Sequence, residues 1–314
     1  MPAAFHDALS EIADGLRFPE GPVALADGSV LLVEIERGII AKIAPDGTKT
    51  IVAAPGGGPN GLAIGPDGKL YVCNNGGFNW TAEGDPTGLR PVGQADDYSG
   101  GRIERVDLTT GAIEVLYRES TNGPLKGPND LVFDAHGGVY FTDLGKVRAR
   151  EQDRGAVHYA RADGSSIREV VFPMVTPNGI GLSPDGTVLY VAETETARLW
   201  AFDLDGPGSL RRHPFPSPHG GRLVAGLGGY QRFDSLAVDA DGNICVATLV
   251  SGCITVIAPD GRILRQVPMP ERWPTNICFG GPDMKTAYIT LSMTGRLVSM
   301  AWDRAGARLN TRNI

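Results

Sequence analysis

One layout recurs six times along the chain: EGPVALADGSVLLV from Glu20, NGLAIGPDGKLYVC from Asn60, NDLVFDAHGGVYFT from Asn129, NGIGLSPDGTVLYV from Asn178, DSLAVDADGNICVA from Asp234 and NICFGGPDMKTAYI from Asn276. Each copy opens on Glu, Asn or Asp. Seven residues later comes Asp or, once, His: Asp27, Asp67, His136, Asp185, Asp241 and Asp283. The stretch between is alternating and apolar enough for a short strand, the Asp-Gly step or its variant is a hairpin turn, and the apolar run behind it is a second strand. A second hairpin follows in IAPDGTKTIV, VDLTTGAIEVL, ARADGSSIREVV and VIAPDGRILRQV, and less cleanly in FDLDGPGSLRRH. Four antiparallel strands per unit, in units starting near residues 20, 60, 129, 178, 234 and 276, predict an all-β fold, a six-bladed β-propeller. No segment holds a helical period for long, which excludes a helical solenoid. The early segment LSEIADGL is placed to pair with the last unit and close the ring, removing an exposed edge.

At 314 residues the chain suits one closed β domain spanning 1–314, and its 43 glycines and 23 prolines supply the frequent turns such a fold needs. The net charge of −7 argues against a nucleic-acid partner or an anionic membrane surface. Cys73, Cys245, Cys253 and Cys278 show no CxxC spacing and read as buried free thiols. The N-terminal residues lack a basic segment followed by an apolar core, and no apolar run approaches the ~18 residues of a membrane span, so a soluble, cytoplasmic protein is expected.

In a propeller the first strand of each blade lines the central channel, so the six opening residues converge at one mouth. They are two carboxylates and four amides, Glu20, Asn60, Asn129, Asn178, Asp234 and Asn276, all hard oxygen donors. Such a set selects Ca²⁺ or Mg²⁺ over softer metals. Any one Asn at a strand entrance could instead cap a turn through its side chain. Glu20, held between Pro19 and Pro22, and Asp234 are poorer candidates for that role, and a shared cation would supply the counter-charge that a buried carboxylate requires.

These motifs, in this order over nearly the whole chain, resemble the gluconolactonase and regucalcin-like (senescence marker protein) family of six-bladed propellers. The resemblance implies a divalent metal, most often Ca²⁺, with Mg²⁺, Mn²⁺ or Zn²⁺ as substitutes in vitro, held by Glu20, Asn178 and Asp234. It implies that Asn129 either joins the metal or binds substrate. It also implies hydrolysis of a lactone, such as a sugar lactone or similar small polar lactone, by metal-activated water. Asp234 is the candidate general base, since a ligand carboxylate can also accept a proton from a water beside it. Asp143 and Asn75, with Asn74 and Glu36 behind them, are further candidates to meet substrate hydroxyls. Arg17 and Arg232 would either face a substrate carboxylate or pair with surface acids, and surface pairing is the expectation. The five histidines lie away from the anchors, which argues against a histidine-dyad mechanism.

The long insertion 76–99, with Phe78, Trp80 and Tyr98, is either a lid over the mouth or a subunit contact that would make an oligomer. Competing functions are a non-catalytic metal- or ligand-binding propeller, an organophosphate or ester hydrolase on the same site, and a metal-free condensing enzyme of the strictosidine-synthase type. The clustered oxygen donors weigh against the last.

Overall fold

The computed structural model describes residues 9–82 and 88–310. The centre of the predicted insertion, 83–87, lies outside the described residues, as do both chain ends. Six antiparallel sheets follow one another around a ring, and no α-helix occurs among the described residues. Their innermost strands are Pro19–Ala24, Pro59–Ile64, Pro128–Phe133, Pro177–Leu182, Arg232–Val238 and Pro274–Gly280, each packed beside the next, with the sixth returning to the first. The six-bladed propeller expected from the repeat is therefore the fold.

Each repeat becomes the inner hairpin of a blade. In the first blade Val23 faces Leu31 and Ala24 faces Val30 across a turn in which the Asp27 carboxylate accepts the Ser29 N–H at 3.0 Å. Asp67, Asp185 and Asp283 make the same Asx-type contact, to the N–H of Lys69, Thr187 and Lys285. Apolar residues of one blade interdigitate with those of the next: Leu31, Val33 and Ile40 pack with Leu62, Ile64 and Val72 in one such cluster. The hydrophobic core is thus a ring of inter-blade layers.

Ring closure follows the sequence expectation. Ser10–Ala13 forms the outermost strand of the sixth blade, antiparallel to Arg296–Ala301, so that the two ends of the chain share one sheet. The fourth blade departs from the four-strand rule. Its third strand, Arg198–Gly206, pairs with Ser209–Arg211 along one half and with Arg222–Gly226 along the other. Pro214, Pro216 and Pro218 lie between those two short strands, and proline cannot donate to a ladder, so the outer position is shared. The insertion leaves the second blade after its second strand and forms a hairpin of its own, Phe78–Thr81 with Arg90–Gln94. All four cysteines are free, three of them buried and Cys278 partly so.

Candidate active site

Every inner strand slips register within a few residues of its start, at Glu20/Val23, Pro59/Leu62, Pro128/Leu131, Pro177/Ile180, Phe233/Leu236 and Pro274/Asn276. A bulge re-aims the side chain it carries, and here it falls on or beside the anchor of each repeat. Proline precedes four anchors directly, tolerated because the inner strand is the channel-side edge of its sheet. The glycine after an anchor has a separate cause. A Cβ on Gly21 would lie 2.4 Å from the Asn60 carbonyl oxygen, on Gly61 2.6 Å from that of Asn129, and on Gly179 2.7 Å from that of Asp234. Neighbouring anchors therefore sit backbone against backbone, and the ring is narrow.

Glu20, Asn60, Asn129, Asn178 and Asp234 line one cavity of about 320 Å³ at this mouth. The sixth anchor, Asn276, supports it from below: its Nδ2 donates to Glu20 Oε2 at 2.7 Å, and the same oxygen accepts the Gly21 N–H at 2.6 Å. Asn178 Nδ2 donates to Thr194 Oγ1 at 3.1 Å, and its Oδ1 accepts from Ser235 Oγ at 3.3 Å. The Oδ1 of Asn129 is buried without a partner. Burial raises the Glu20 carboxyl above the usual carboxylate range, against the hydrogen bonds from Asn276 and Gly21. Burial also raises Asp234 well above its ordinary value, and the neighbouring Glu20 adds to it. Asp130, one residue past the third anchor, is pushed up to about 7 by burial and by Glu20. Three carboxylates crowd the channel axis, each disfavouring charge on the others.

The remaining sequence candidates lie elsewhere. Asp143 is not among the residues lining the cavity. Its Oδ1 accepts the N–H of Gly127 at 2.7 Å and of Gly145 at 3.0 Å, and its Oδ2 the N–H of Lys126 at 2.7 Å. The same brace recurs: Glu34 accepts from Arg17 N, Asn74 from Gly58 N and Glu193 from Val175 N, each across from the proline that opens an inner strand. Asp143 holds a loop, as do its counterparts. Asn75 is likewise buried away from the cavity, its Oδ1 accepting the Gly77 N–H at 2.9 Å. Glu36 pairs with Arg17 at 2.7 Å. Arg232 does pair with an acid, Glu195, but both residues line the cavity, and the Arg232 Nε is buried without a partner.

Sequence reasoning missed most of the walls. Phe18 and Thr176 line the cavity from left-handed backbone, at φ of 54° and 47°, each immediately before the proline that opens an inner strand. Such a conformation is uncommon for a bulky or β-branched residue and is found where surrounding contacts enforce it. Ile35 N donates to Phe18 O, and Thr194 N to Thr176 O, so the first and fourth blades repeat the device on opposite sides of the ring. Phe78, Pro91, Val92 and Gly93 bring the insertion to the cavity wall.

One family model, described as the SMP-30/Gluconolactonase/LRE-like region, matches this chain over residues 18–293. The chain belongs to that family. It is 28% identical over 312 residues to a gluconolactonase of Zymomonas mobilis, covering 90% of this chain and 79% of that one. It is 29% identical over 261 residues to the lactonase drp35 of Staphylococcus haemolyticus, covering 82% and 71%. Among solved structures, a gluconolactonase of Xanthomonas campestris superposes with a TM-score of 0.72 at 22% identity, covering 96% and 93% of the two chains. A calcium-binding regucalcin of Agrobacterium tumefaciens superposes at 0.73 and 19%, covering 95% and 94%. At those identities the likeness shows the fold.

The donor set meets the needs of a hard divalent cation. Among the described residues no group of three His, Cys, Asp or Glu side chains is placed to hold a metal. The anchors that line the cavity offer two carboxylates plus amide oxygens, one of them the orphaned Asn129 Oδ1, a mixture of the kind that Ca²⁺ accepts.

Proposed function

We propose that this chain hydrolyses the ester bond of a lactone at the cavity lined by Glu20, Asn129, Asn178 and Asp234, with one divalent cation, Ca²⁺ first among candidates, as its cofactor. The observation that carries this reading is the charge imbalance at the mouth. Glu20, Asp234 and Glu195 face the cavity against one guanidinium, that of Arg232, which is already paired to Glu195. Burial of the Glu20 and Asp234 carboxyls calls for a cation, whereas Glu195 is exposed to solvent. The two curated relatives described above bear the names of lactone hydrolases.

When bound, the cation supplies Lewis acidity toward the ester carbonyl and its developing oxyanion. The chain's own residues do the rest. Asp234 accepts the proton of the attacking water on a carboxylate oxygen and returns it to the ring oxygen as the acyl C–O bond breaks, leaving a carboxylic acid and an alcohol on one opened product. Asn276 and the Gly21 N–H both hold Glu20 Oε2 and so fix the orientation of the carboxylate. Thr194 and Ser235 orient the Asn178 amide.

The test is acid release from a panel of γ- and δ-lactones in a pH-stat, with protein stripped by chelator and then resupplied with Ca²⁺, Mg²⁺, Mn²⁺ or Zn²⁺. Hydrolysis that chelator abolishes and Ca²⁺ restores is the expected result. Absence of acid release from every lactone, with metal present, would overturn the reading.

A further inference from the structure

The cavity is polar at its base and on one side only. Thr176, Thr194, Glu195 and Arg232, with the apolar Leu249 among them, form that side on the fourth and fifth blades. The opposite wall, from the first, second, third and sixth blades, is apolar: Phe18, Ile35, Phe78, Val92, Val147 and Trp273. Val92 and Val147 remain 55% and 40% exposed at the rim, an apolar pair left open to solvent beside the site.

This wall is fixed in place. Gln94 N donates to Val147 O at 2.9 Å and Leu89 N to Met293 O at 3.0 Å, so the insertion is stitched to the third blade on one side and to the sixth on the other. Lys146, fully buried, donates from Nζ to the carbonyls of Asn75 and Gly77 at 2.8 Å each and sits 4.2 Å from the centroid of the Phe78 ring. Trp80 lies between Phe18 and Phe78, at 5.1 and 6.1 Å between ring centroids. The insertion thus holds an aromatic and aliphatic face over the anchors through contacts on three sides.

A polyhydroxylated lactone seated on the anchors would press several hydroxyls against this face, whose side chains offer one donor, the Trp273 indole N–H, and no acceptor, and each unpaired polar group carries the desolvation cost. An alkyl or aryl substituent in the same place loses water from both surfaces at once. We propose that the preferred substrates are lactones bearing an apolar substituent on the ring, with that substituent on the wall of Phe18, Phe78, Val92 and Trp273, and that sugar lactones are poor substrates. The proposal rests on the lactonase reading above and narrows it.

The experiment compares kcat/KM for δ-valerolactone, a series of 5-alkyl δ-lactones of increasing chain length, and δ-gluconolactone, on wild type and on Phe78→Ala and Val92→Asp. Val92 is exposed at the rim, so its replacement leaves the core untouched. Efficiency is expected to rise about fourfold per added methylene until the wall is covered, and to exceed that for δ-gluconolactone at least tenfold. Each variant should lower efficiency toward the longest effective alkyl lactone at least fivefold more than toward δ-valerolactone, mainly through KM. A preference for δ-gluconolactone, or an equal loss on all substrates in Val92→Asp, overturns the proposal while leaving the lactonase reading intact. Should no lactone be opened, calorimetric binding of 2-alkylcyclohexanones separates the two ideas. Affinity that grows with alkyl length and falls in Val92→Asp supports the apolar subsite without the chemistry, and no such trend sinks both.

Discussion

Five of the six repeats carry two acidic or amide positions seven residues apart, and the fold treats them in opposite ways. At the turns, Asp185 is exposed, bonded to the N–H of Thr187 and to the Ser183 hydroxyl, and those hydrogen bonds hold its carboxyl below the usual range. At the strand starts, Glu20 and Asp234 face the channel, and burial holds their carboxyls above it. The turn carboxylate is met by neighbouring backbone N–H and hydroxyl groups, whereas the two carboxylates at the strand starts are met by side-chain amides and, at Glu20, one backbone N–H. The same residue types, at a fixed offset, serve first to make the hairpin and then to leave charge uncompensated where a substrate can reach it.

The contrast is broken most severely at Asp234. Asp234→Asn keeps the shape of the side chain and removes its capacity to accept a proton, and a loss of 10²- to 10⁴-fold in kcat with lactones is expected. Unchanged turnover with a native circular dichroism spectrum would remove Asp234 from the base role. Second is Glu20→Gln. Wild type should gain thermal stability on addition of Ca²⁺ in proportion to its affinity, and the variant should lose at least half of that gain, read by scanning calorimetry with and without chelator. The metal-free variant should melt above the metal-free wild type, because a repelling charge is gone; a metal-free melting point below wild type would argue against the crowding of charge at the axis.

A third expectation uses a buried group away from both rings. His158 is stacked on Phe141 at 5.0 Å between centroids, and burial pulls its imidazole down to about 4 from 6.5. The unfolded chain therefore takes up this proton at a higher pH than the folded one. Stability from this source is intact above pH 6.5 and is lost as pH falls toward 4, a change on the order of 3 kcal/mol. Denaturant midpoints of His158→Phe should fall less over that window than those of wild type. The smallest effect belongs to the turns: Asp185→Ala should cost within about 1 kcal/mol of stability and leave lactone hydrolysis at the wild-type rate. A turn variant that lost activity would erase the distinction between the rings.

The blade architecture was legible because the hairpin chemistry repeats. Asp-Gly turns and alternating strands need only their own residues to declare themselves, and the convergence of Glu20, Asn60, Asn129, Asn178 and Asp234 on one cavity follows from the fold. Asp143 misled because a carboxylate at the end of a second strand looks available in sequence, whereas in four blades that position is occupied by bracing a loop. A signal existed, since Glu34, Asn74, Asp143 and Glu193 stand fifteen or sixteen residues after their anchors' opening proline. The walls were unreadable for another reason. Phe18, Val92 and Trp273 lie far apart in the chain and meet only after the insertion has been tied to the third and sixth blades.

The strand Ser10–Ala13 has a consequence for how the molecule is made. It leaves the ribosome well before its partner around Ser299, with five blades' worth of chain between them. At synthesis rates of about 5 to 20 residues per second, that strand waits roughly 15 to 60 s with its hydrogen-bonding edge unclaimed. Five blades can assemble locally in that time, but the ring is an open horseshoe until Arg296–Ala301 of the sixth blade has been made. A nascent chain stalled before residue 296 has no partner for its own beginning, and quality control would meet it as an incomplete circle with an adhesive end.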